Sequence, residues 1–187
     1  CDIAYYGRNG LEVFAEKNEK YTNYSAIGAI YPEVIQIFVR RESNIKTIND
    51  LKGKRVSVGP PGSGTEVSAR QIFGIYGLDY KQKKDFDARY ISFAETADQF
   101  KDKLIDAGYA VLGVPNAALQ DITAVAPIRL LEISDEMFKK IKEKYPYYSQ
   151  ITIPGGTYKG RDQDVKTVTL KAILLVRYDV DKELVYN

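Results

Sequence analysis

The sequence contains no histidine and no tryptophan, and its single cysteine is Cys1. Without an imidazole, the chain can form neither a Ser-His-Asp triad nor a histidine-ligated metal centre. One cysteine allows neither an intrachain disulfide nor a thiolate metal cluster. These absences exclude histidine-based catalysis and histidine- or thiolate-bound metals, so we expect no metal site, while Asp, Glu, Lys and Tyr side chains stay available for other chemistry.

Charge and hydropathy argue against two further classes of protein. The 187 residues include 27 basic and 25 acidic side chains, a net charge of +2, so no basic face for nucleic acid is indicated. No apolar run approaches the roughly 20 residues that a membrane-spanning helix needs. No signal peptide precedes Cys1, so we expect either that a signal was removed or that the sequence starts within a longer protein.

Short apolar segments alternate along the chain with segments of helical periodicity. Strands are predicted at residues 34–39, 56–58, 90–93, 109–112, 129–133 and 167–176. Helices are predicted where apolar side chains recur at helical spacing: Ala69, Ile72, Phe73 and Tyr76; Ala97, Phe100 and Leu104; Ala118, Leu119 and Ile122; Met137, Phe138 and Ile141. The alternation predicts an α/β fold with a largely parallel sheet.

Four residues predict helix boundaries. Gly77 is expected to end the first helix, and Pro115 to lie in the first turn of the third. Ser134 is expected to cap the fourth helix and Pro146 to mark its end.

The most informative segment is KRVSVGPPGSGTE at residues 54–66, where a strand runs into a Gly/Pro-rich turn and then a helix. Backbone N–H groups at a helix start are unpaired and lie at the positive end of the helix dipole, so they can bind a carboxylate or a phosphate. Gly62 and Gly64 allow close approach of the backbone, while Ser63 and Thr65 add hydroxyl donors. A tight turn with a plain N-cap fits this loop equally well.

Two nucleotide-binding motifs do not fit this loop. A phosphate-binding P-loop requires a lysine at the position of Thr65. The dinucleotide fingerprint requires a third glycine at the position of Val67.

A second loop, Gly-Val-Pro-Asn-Ala at 113–117, also follows a predicted strand and precedes a predicted helix. Ligands of open α/β sheets bind beyond the carboxyl ends of strands, so the two loops are expected to face one crevice. Glu95 is expected to complement a helix dipole rather than to contact a ligand. Of the 15 tyrosines, Tyr5, Tyr6 and Tyr31 lie near predicted strand ends, where ordinary packing and a place at a pocket mouth are both possible.

Several segments, in the expected order, resemble TAXI-type solute-binding proteins, the extracytoplasmic subunits of TRAP transporters. Residues 56–66 resemble the signature loop of that family. Further matching segments are DIAYY at 2–6, IYPEVIQ at 30–36, DLKGKR at 50–55, SFAE at 92–95, GVP at 113–115 and IPGGTY at 153–158. The resemblance extends over nearly the whole chain.

The resemblance implies a periplasmic binding protein type II fold with two lobes joined by a hinge. It implies an exported, periplasmic or otherwise extracytoplasmic monomer that clamps a small carboxylate and presents it to the membrane subunit of a TRAP transporter. Such a protein is not an enzyme, so the resemblance also implies no catalytic residues and no cofactor. That ligand would be a glutamate-like amino acid, a dicarboxylate or a 2-oxo acid. The implied ligand contacts are Tyr5, Tyr6, Tyr31, Pro60, Pro61, Gly62, Ser63, Gly64, Thr65, Gly113, Val114, Pro115 and Asn116, with Gln36 and Glu33 as further candidates.

The sequence also departs from the family, whose members have a long segment before the motif at residues 2–6. We therefore expect a fragment with one complete lobe at 38–164, and parts of the other lobe at 1–37 and 165–187. Lys103 stands where a glycine is common in the family and is expected to lengthen the helix before it.

Two alternatives stay open at this point: an enzyme acting on a small anionic substrate, and the ligand-sensing lobe of a signalling protein. The sequence does not choose the ligand within the carboxylate class.

Overall fold

The computed structural model describes residues 24–159 and 162–186. The strands are β1 (Tyr24–Arg40), β2 (Arg55–Ser57), β3 (Asp87–Arg89), β4 (Ala107–Leu112), β5 (Ile128–Leu130), β6 (Ser149–Ile153) and β7 (Val165–Arg177). The α-helices are α1 (Gly64–Ile75), α2 (Phe93–Lys101), α3 (Ala117–Val125), α4 (Asp135–Lys144) and α5 (Lys182–Tyr186). Short 3-10 helices occupy Ile48–Leu51 and Lys81–Lys83. The predicted α/β class is confirmed.

The chain divides into two compact units. One unit contains residues 34–169, and the other contains the described residues 24–33 and 170–186. The strands β1 and β7 each belong partly to one unit and partly to the other. The lobe boundaries expected from the sequence stay a prediction.

The strand order is β3-β2-β4-β1-β7-β6, and β5 also pairs with β1. The strand β2 is parallel to β3 and β4, whereas β1 is antiparallel to β4 and β5, and β6 is antiparallel to β7. The sheet is therefore mixed, and the expectation of a largely parallel sheet was wrong. An alternation of strands and helices does not set the direction of a strand whose partners are distant in sequence: β1 runs against its partner β4, and therefore also against β2.

The core of the unit 34–169 is built around the central strand β1. Residues 34–39 are all buried, which explains their nearly continuous apolar character. Phe38 meets Phe100 of α2 edge to face, with ring centroids 5.1 Å apart. Phe73 of α1 packs in the same way on Phe86 and on Tyr109 of β4, at 5.3 and 5.4 Å. Each such fully buried ring stabilises the fold by roughly 1.5–3 kcal/mol, so these contacts hold α1 and α2 on the sheet.

Five of the six predicted strands overlap observed strands, and the sixth is wrong. The strand predicted at 90–93 lies instead at Asp87–Arg89, where Ala88 pairs with Val56. Ser92 is the N-cap of α2 and not a strand residue, because its side chain and that of Glu95 form a reciprocal capping box. The strand β6 had no counterpart among the predictions.

The end of α2 also differs from expectation. The helix ends at Lys101, and Lys103 adopts a left-handed φ of 61°. Leu104 N–H donates to Gln99 O (2.8 Å) and Lys103 N–H donates to Phe100 O (3.2 Å), which is a Schellman motif. Lys103 therefore terminates the helix instead of lengthening it. Leu104, predicted to belong to this helix with Ala97 and Phe100, lies beyond its end and is 53% exposed.

The boundaries of α1 and α4 agree with the sequence. Gly77 follows α1 with a φ of +71°. Ser134 caps α4 by accepting a hydrogen bond from Met137 N–H at 3.3 Å, Ile141 is fully buried, and the helix ends before Pro146.

Candidate functional site

Three helices begin at the same edge of the sheet. The parallel strands β3, β2 and β4 lie side by side, and each is followed by a helix: α2, α1 and α3 respectively. Because parallel strands end at one edge, their loops at 90–92, 58–63 and 113–116 gather there. This is the edge at which open α/β sheets bind ligands.

The loop before α1 is shaped by two glycines in the left-handed region. Gly62 has a φ of +71°, and Ser63 N–H donates to Pro60 O at 3.1 Å, so residues 60–63 form a β-turn with glycine at its third position. Gly59 has a φ of +91°, and a Cβ added there would lie 2.8 Å from the Cβ of Thr65. Close packing of this turn on the helix start therefore requires Gly59.

The start of α1 offers backbone donors. Ser63 is the N-cap, and its hydroxyl accepts a hydrogen bond from Glu66 N–H at 3.2 Å. Within residues 24–159 and 162–186, no acceptor is found for the N–H groups of Gly64 and Thr65. Gly64 is buried and Thr65 is half-buried, whereas Pro60, Pro61 and Gly62 beside them are exposed. The predicted loop thus combines two amide donors with the positive end of a helix dipole.

Glu66, in the first turn of α1, is a charged neighbour that the sequence analysis did not single out. Its side chain is largely buried, accepts a hydrogen bond from Tyr80 OH (3.0 Å) and lies 3.5 Å from the guanidinium of Arg70. Burial, and next the charge of Glu66, raise the pKa of Tyr80. Arg70 and Tyr80 thus partly offset a negative charge that would otherwise oppose an anion at this helix start.

Buried side chains hold α1 in position one turn further along. The hydroxyls of Ser68 and Tyr109 are 2.6 Å apart, which joins α1 to β4. Tyr148 OH donates to Gln71 Oε1 at 2.9 Å and approaches Ser68 Oγ at 3.2 Å. Burial raises the pKa of Tyr148, so the phenol stays protonated and can donate.

The loop before α3 has its helix donors already occupied. Asn116 is the N-cap, and its Oδ1 accepts hydrogen bonds from Ala118 N–H (3.0 Å) and Leu119 N–H (3.2 Å). Pro115, joined to Val114 by a cis peptide bond, precedes this cap. The expectation that Pro115 lies in the first helical turn was wrong, because the side chain of Asn116 takes the capping position and starts the helix later.

Gln36 and Tyr158 support this second loop from below. Gln36 is 1% exposed, and its Nε2 donates to Leu112 O (3.3 Å) and approaches Gly113 O (3.5 Å). Tyr158 OH donates to Gln36 Oε1 at 2.6 Å. Burial raises the pKa of Tyr158, while the backbone N–H of Asn116 and the side chain of Gln36 oppose that rise. This geometry favours a supporting role for Gln36, and the sequence analysis gave Tyr158 no role.

The segments 58–63, 90–92 and 113–116 contain none of the three tyrosines predicted as ligand contacts. Tyr5 and Tyr6 lie outside the described residues. Tyr31 is 48% exposed in the other compact unit and donates to Glu33 Oε1 at 3.1 Å. That hydrogen bond is the main cause of the raised pKa of Tyr31, while burial raises the pKa of Glu33. Their roles as ligand contacts stay predictions.

Glu95 is engaged locally at the start of α2. Its Oε2 accepts hydrogen bonds from the backbone N–H (2.8 Å) and the hydroxyl (2.7 Å) of Ser92. These bonds lower the pKa of Glu95 and keep the carboxylate charged at the helix start. This agrees with the expectation that Glu95 complements the helix dipole.

The described part of the chain contains no group of three or more His, Cys, Asp or Glu side chains placed to hold a metal ion. None of its helices has the length and apolar character needed to cross a bilayer.

Comparison with known proteins gives the family. The model of the NMT1-like family matches residues 1–187, which is the whole chain. The chain belongs to the NMT1-like family.

Two solved structures show the fold of this NMT1-like chain. The periplasmic aliphatic sulphonate binding protein SsuA from Escherichia coli shares 20% identity with it at a TM-score of 0.52, covering 72% of this chain and 47% of SsuA. An ABC transporter periplasmic binding protein from Brucella ovis with glutathione bound shares 11% identity at a TM-score of 0.50, covering 91% of this chain and 41% of that protein. The fold is that of periplasmic binding proteins, and the chain spans less than half the length of either protein.

Proposed function

We propose that this NMT1-like chain is the ligand-holding part of an extracytoplasmic solute-binding protein, which captures a small carboxylate for a transporter and catalyses no reaction. The observation that carries the proposal is the pair of N–H groups of Gly64 and Thr65 at the start of α1, beside an exposed glycine turn. The fold shared with periplasmic binding proteins supports it.

A carboxylate matches these donors chemically. Its two oxygens can accept one hydrogen bond each from adjacent amides, and each such bond to a charged group contributes about 1.5–3 kcal/mol. The helix dipole adds about 0.3–1 kcal/mol at an exposed site. A sulfonate carries the same charge on three oxygens, so alkanesulfonates are the natural competitors in a binding test.

The finer assignment rests on the motifs at 56–66, 92–95 and 113–115. On these we propose a TAXI-type protein that delivers a glutamate-like amino acid, a dicarboxylate or a 2-oxo acid to a TRAP membrane subunit. We also propose that residues 38–164 form one lobe, and that residues 1–37 and 165–187 belong to the other. Uptake into vesicles driven by an ion gradient, without ATP, is the expected behaviour of the reconstituted pair.

A thermal-stability screen tests the ligand class. Purified protein is heated with glutamate, succinate, 2-oxoglutarate, an alkanesulfonate or an uncharged amino acid. A ligand present at 100 times its Kd stabilises the folded state by about 2.7 kcal/mol, which raises Tm by roughly 5–10 °C for a chain of this size. A panel in which no carboxylate raises Tm contradicts the proposal, and a response to the sulfonate alone changes the ligand class.

A matched pair of glycine variants tests the location. Gly64→Val crowds the approach to the amides and is expected to weaken carboxylate binding at least tenfold. Gly74→Val introduces the same side chain later in α1, where an added Cβ has no atom within 4 Å, and is expected to leave affinity unchanged. Calorimetric titration measures both, with circular dichroism as the check on folding. Equal affinities for the two folded variants place the ligand elsewhere.

A further inference from the structure

A groove of about 350 Å³ lies in the unit 34–169, at the other end of the strands from the candidate site. It is lined by residues at the end of β1, at the start of β2 and just before β4. The loops of the candidate site follow the carboxyl ends of β2 and β4, whereas this groove lies at their amino ends. The two locations are therefore separate on the same unit.

Two residues that line the groove each carry a buried polar atom without a partner in the described part of the chain. The guanidinium of Arg40 lies 4.3 Å from the ring centroid of Phe100, and its Nη1 donates to Ile105 O at 3.1 Å. Its Nη2 is buried and finds no acceptor among residues 24–159 and 162–186, and the same holds for Ser43 Oγ. Buried donors in native proteins almost always have a partner, so these two groups indicate that a water, an ion or a ligand completes their hydrogen bonds.

The charges around the groove favour an anion. Lys54 and Lys103 line it, and no carboxylate of the described residues lies within 4 Å of either ammonium group. Arg55 is already paired with Asp106, at 2.8 Å between Nη2 and Oδ1. Arg40, Lys54 and Lys103 thus remain beside the Arg55–Asp106 pair, and they face the exposed carboxylate of Glu42 and, for Lys54, also the charge of Asp106.

Lys103 is held in a conformation that favours glycine. Its φ of 61° is left-handed, where a side chain is strained and a glycine is not. Replacing Lys103 by glycine removes an ammonium group from the groove and at the same time relieves the backbone. A loss of anion binding in that variant cannot then be ascribed to unfolding.

We propose that this groove binds a small oxyanion, with Arg40 and Ser43 donating hydrogen bonds and with Lys54 and Lys103 supplying positive charge. The shared chemistry is that of inorganic phosphate, sulfate and the phosphoryl group of a small metabolite. The groove lies at the amino ends of β2 and β4, whereas the loop before α1 lies at their carboxyl ends, so the two ligands do not compete for one location.

The test is a titration of inorganic phosphate into the ¹⁵N-labelled full chain at low chloride concentration, followed by amide chemical shifts and by calorimetry. Saturable binding is expected, with shifts at residues 40–45, 54–55 and 103–106. The variants Lys54→Gln and Lys103→Gly are each expected to weaken binding roughly two- to fivefold, as for partly exposed ion pairs. Glu42→Gln is expected to strengthen it.

Two matched controls separate this site from others. Lys139→Gln removes an exposed lysine of α4 that does not line the groove, and is expected to change nothing. Gly64→Val alters the candidate carboxylate site and is expected to leave phosphate binding intact, so either proposal can fail alone. Parallel titrations with sulfate and glycerol 3-phosphate identify the source of the oxyanion by the tighter binding. Absence of saturation, shifts confined to residues 60–65, or equal affinity in all the groove variants overturns the proposal.

Discussion

Replacing Tyr158 by phenylalanine removes one hydroxyl from beneath the second loop of the candidate site. That hydroxyl donates to Gln36 Oε1 at 2.6 Å, and Gln36 is 1% exposed. The variant therefore leaves a buried amide oxygen without its donor, and no bulk water reaches it to compensate. The rest of the ring is unchanged, so apolar packing stays almost constant.

The magnitude follows from burial. Leaving a buried acceptor unsatisfied costs about 1–3 kcal/mol, and the near-complete burial of Gln36 favours the middle of that range or above, about 2 kcal/mol. In a chain of this length, that loss lowers Tm by roughly 4–8 °C.

Urea unfolding followed by circular dichroism measures this free energy from the transition midpoint, with the slope m expected to stay constant. Tyr178→Phe is the control, because Tyr178 is 68% exposed, and its cost is expected to be below about 0.5 kcal/mol. Gln36→Met, alone and with Tyr158→Phe, completes a double-mutant cycle with an expected coupling energy of at least about 1 kcal/mol.

Two results would refute this account. One is a loss below about 0.5 kcal/mol for Tyr158→Phe, which means that the hydroxyl is not needed as a donor. The other is strict additivity of the two single variants, because groups that share one hydrogen bond cannot contribute independently.

Three other perturbations have defined outcomes. Gly108→Ala adds a Cβ 2.2 Å from Phe38 Cζ and should cost about 1–3 kcal/mol or more in urea unfolding; a stability equal to wild type would show that the core adjusts freely. A hydrogen bond from Arg55 lowers the pKa of Asp106, so this stabilisation is present above the ordinary pKa of about 4 and is lost as pH falls through the folded-state value. Asp106→Asn should remove this pH-dependent contribution to the free energy of unfolding, which is below about 1 kcal/mol because the Arg55–Asp106 pair is partly exposed. A pH profile of the urea midpoint that is the same in the variant contradicts this prediction. Burial raises the pKa of Tyr148, so the free energy of unfolding should fall as pH rises above the unfolded-state pKa of about 10. Tyr148→Phe should make that fall shallower, as measured by urea midpoints across the alkaline range. An equally steep fall in the variant would be evidence against this prediction.

Local sequence signals were enough to predict much of the fold. Continuous apolar character at 34–39 identified the central strand, and Ser134 identified a helix start, because each signal depends on a short stretch of chain. The direction of pairing did not follow from such stretches. Whether β1 runs with or against β4 depends on residues about 70 positions apart, and the sequence pattern carries no information on that choice.

The candidate site was predictable where backbone chemistry defines it and not where side chains compete. The glycines of the first loop predicted a helix start whose backbone N–H groups can act as donors. At the second loop, Pro115 and Asn116 could both begin a helix, and only the contacts of Asn116 with Ala118 and Leu119 decide between them. The hydrogen bond between Tyr158 and Gln36 joins positions 122 residues apart, so it could not be predicted from local sequence patterns.

Buried hydrogen bonds of Ser68 and Gln71 fix the position of α1, so the turn at 60–63 does not have to do so. Under the proposed function, substitutions at the exposed residues 60–62 would change which ligand the loop prefers, while the amides at the start of α1 keep their positions. Descendants of one ancestral scaffold could in this way diverge towards different nutrients through changes at very few codons.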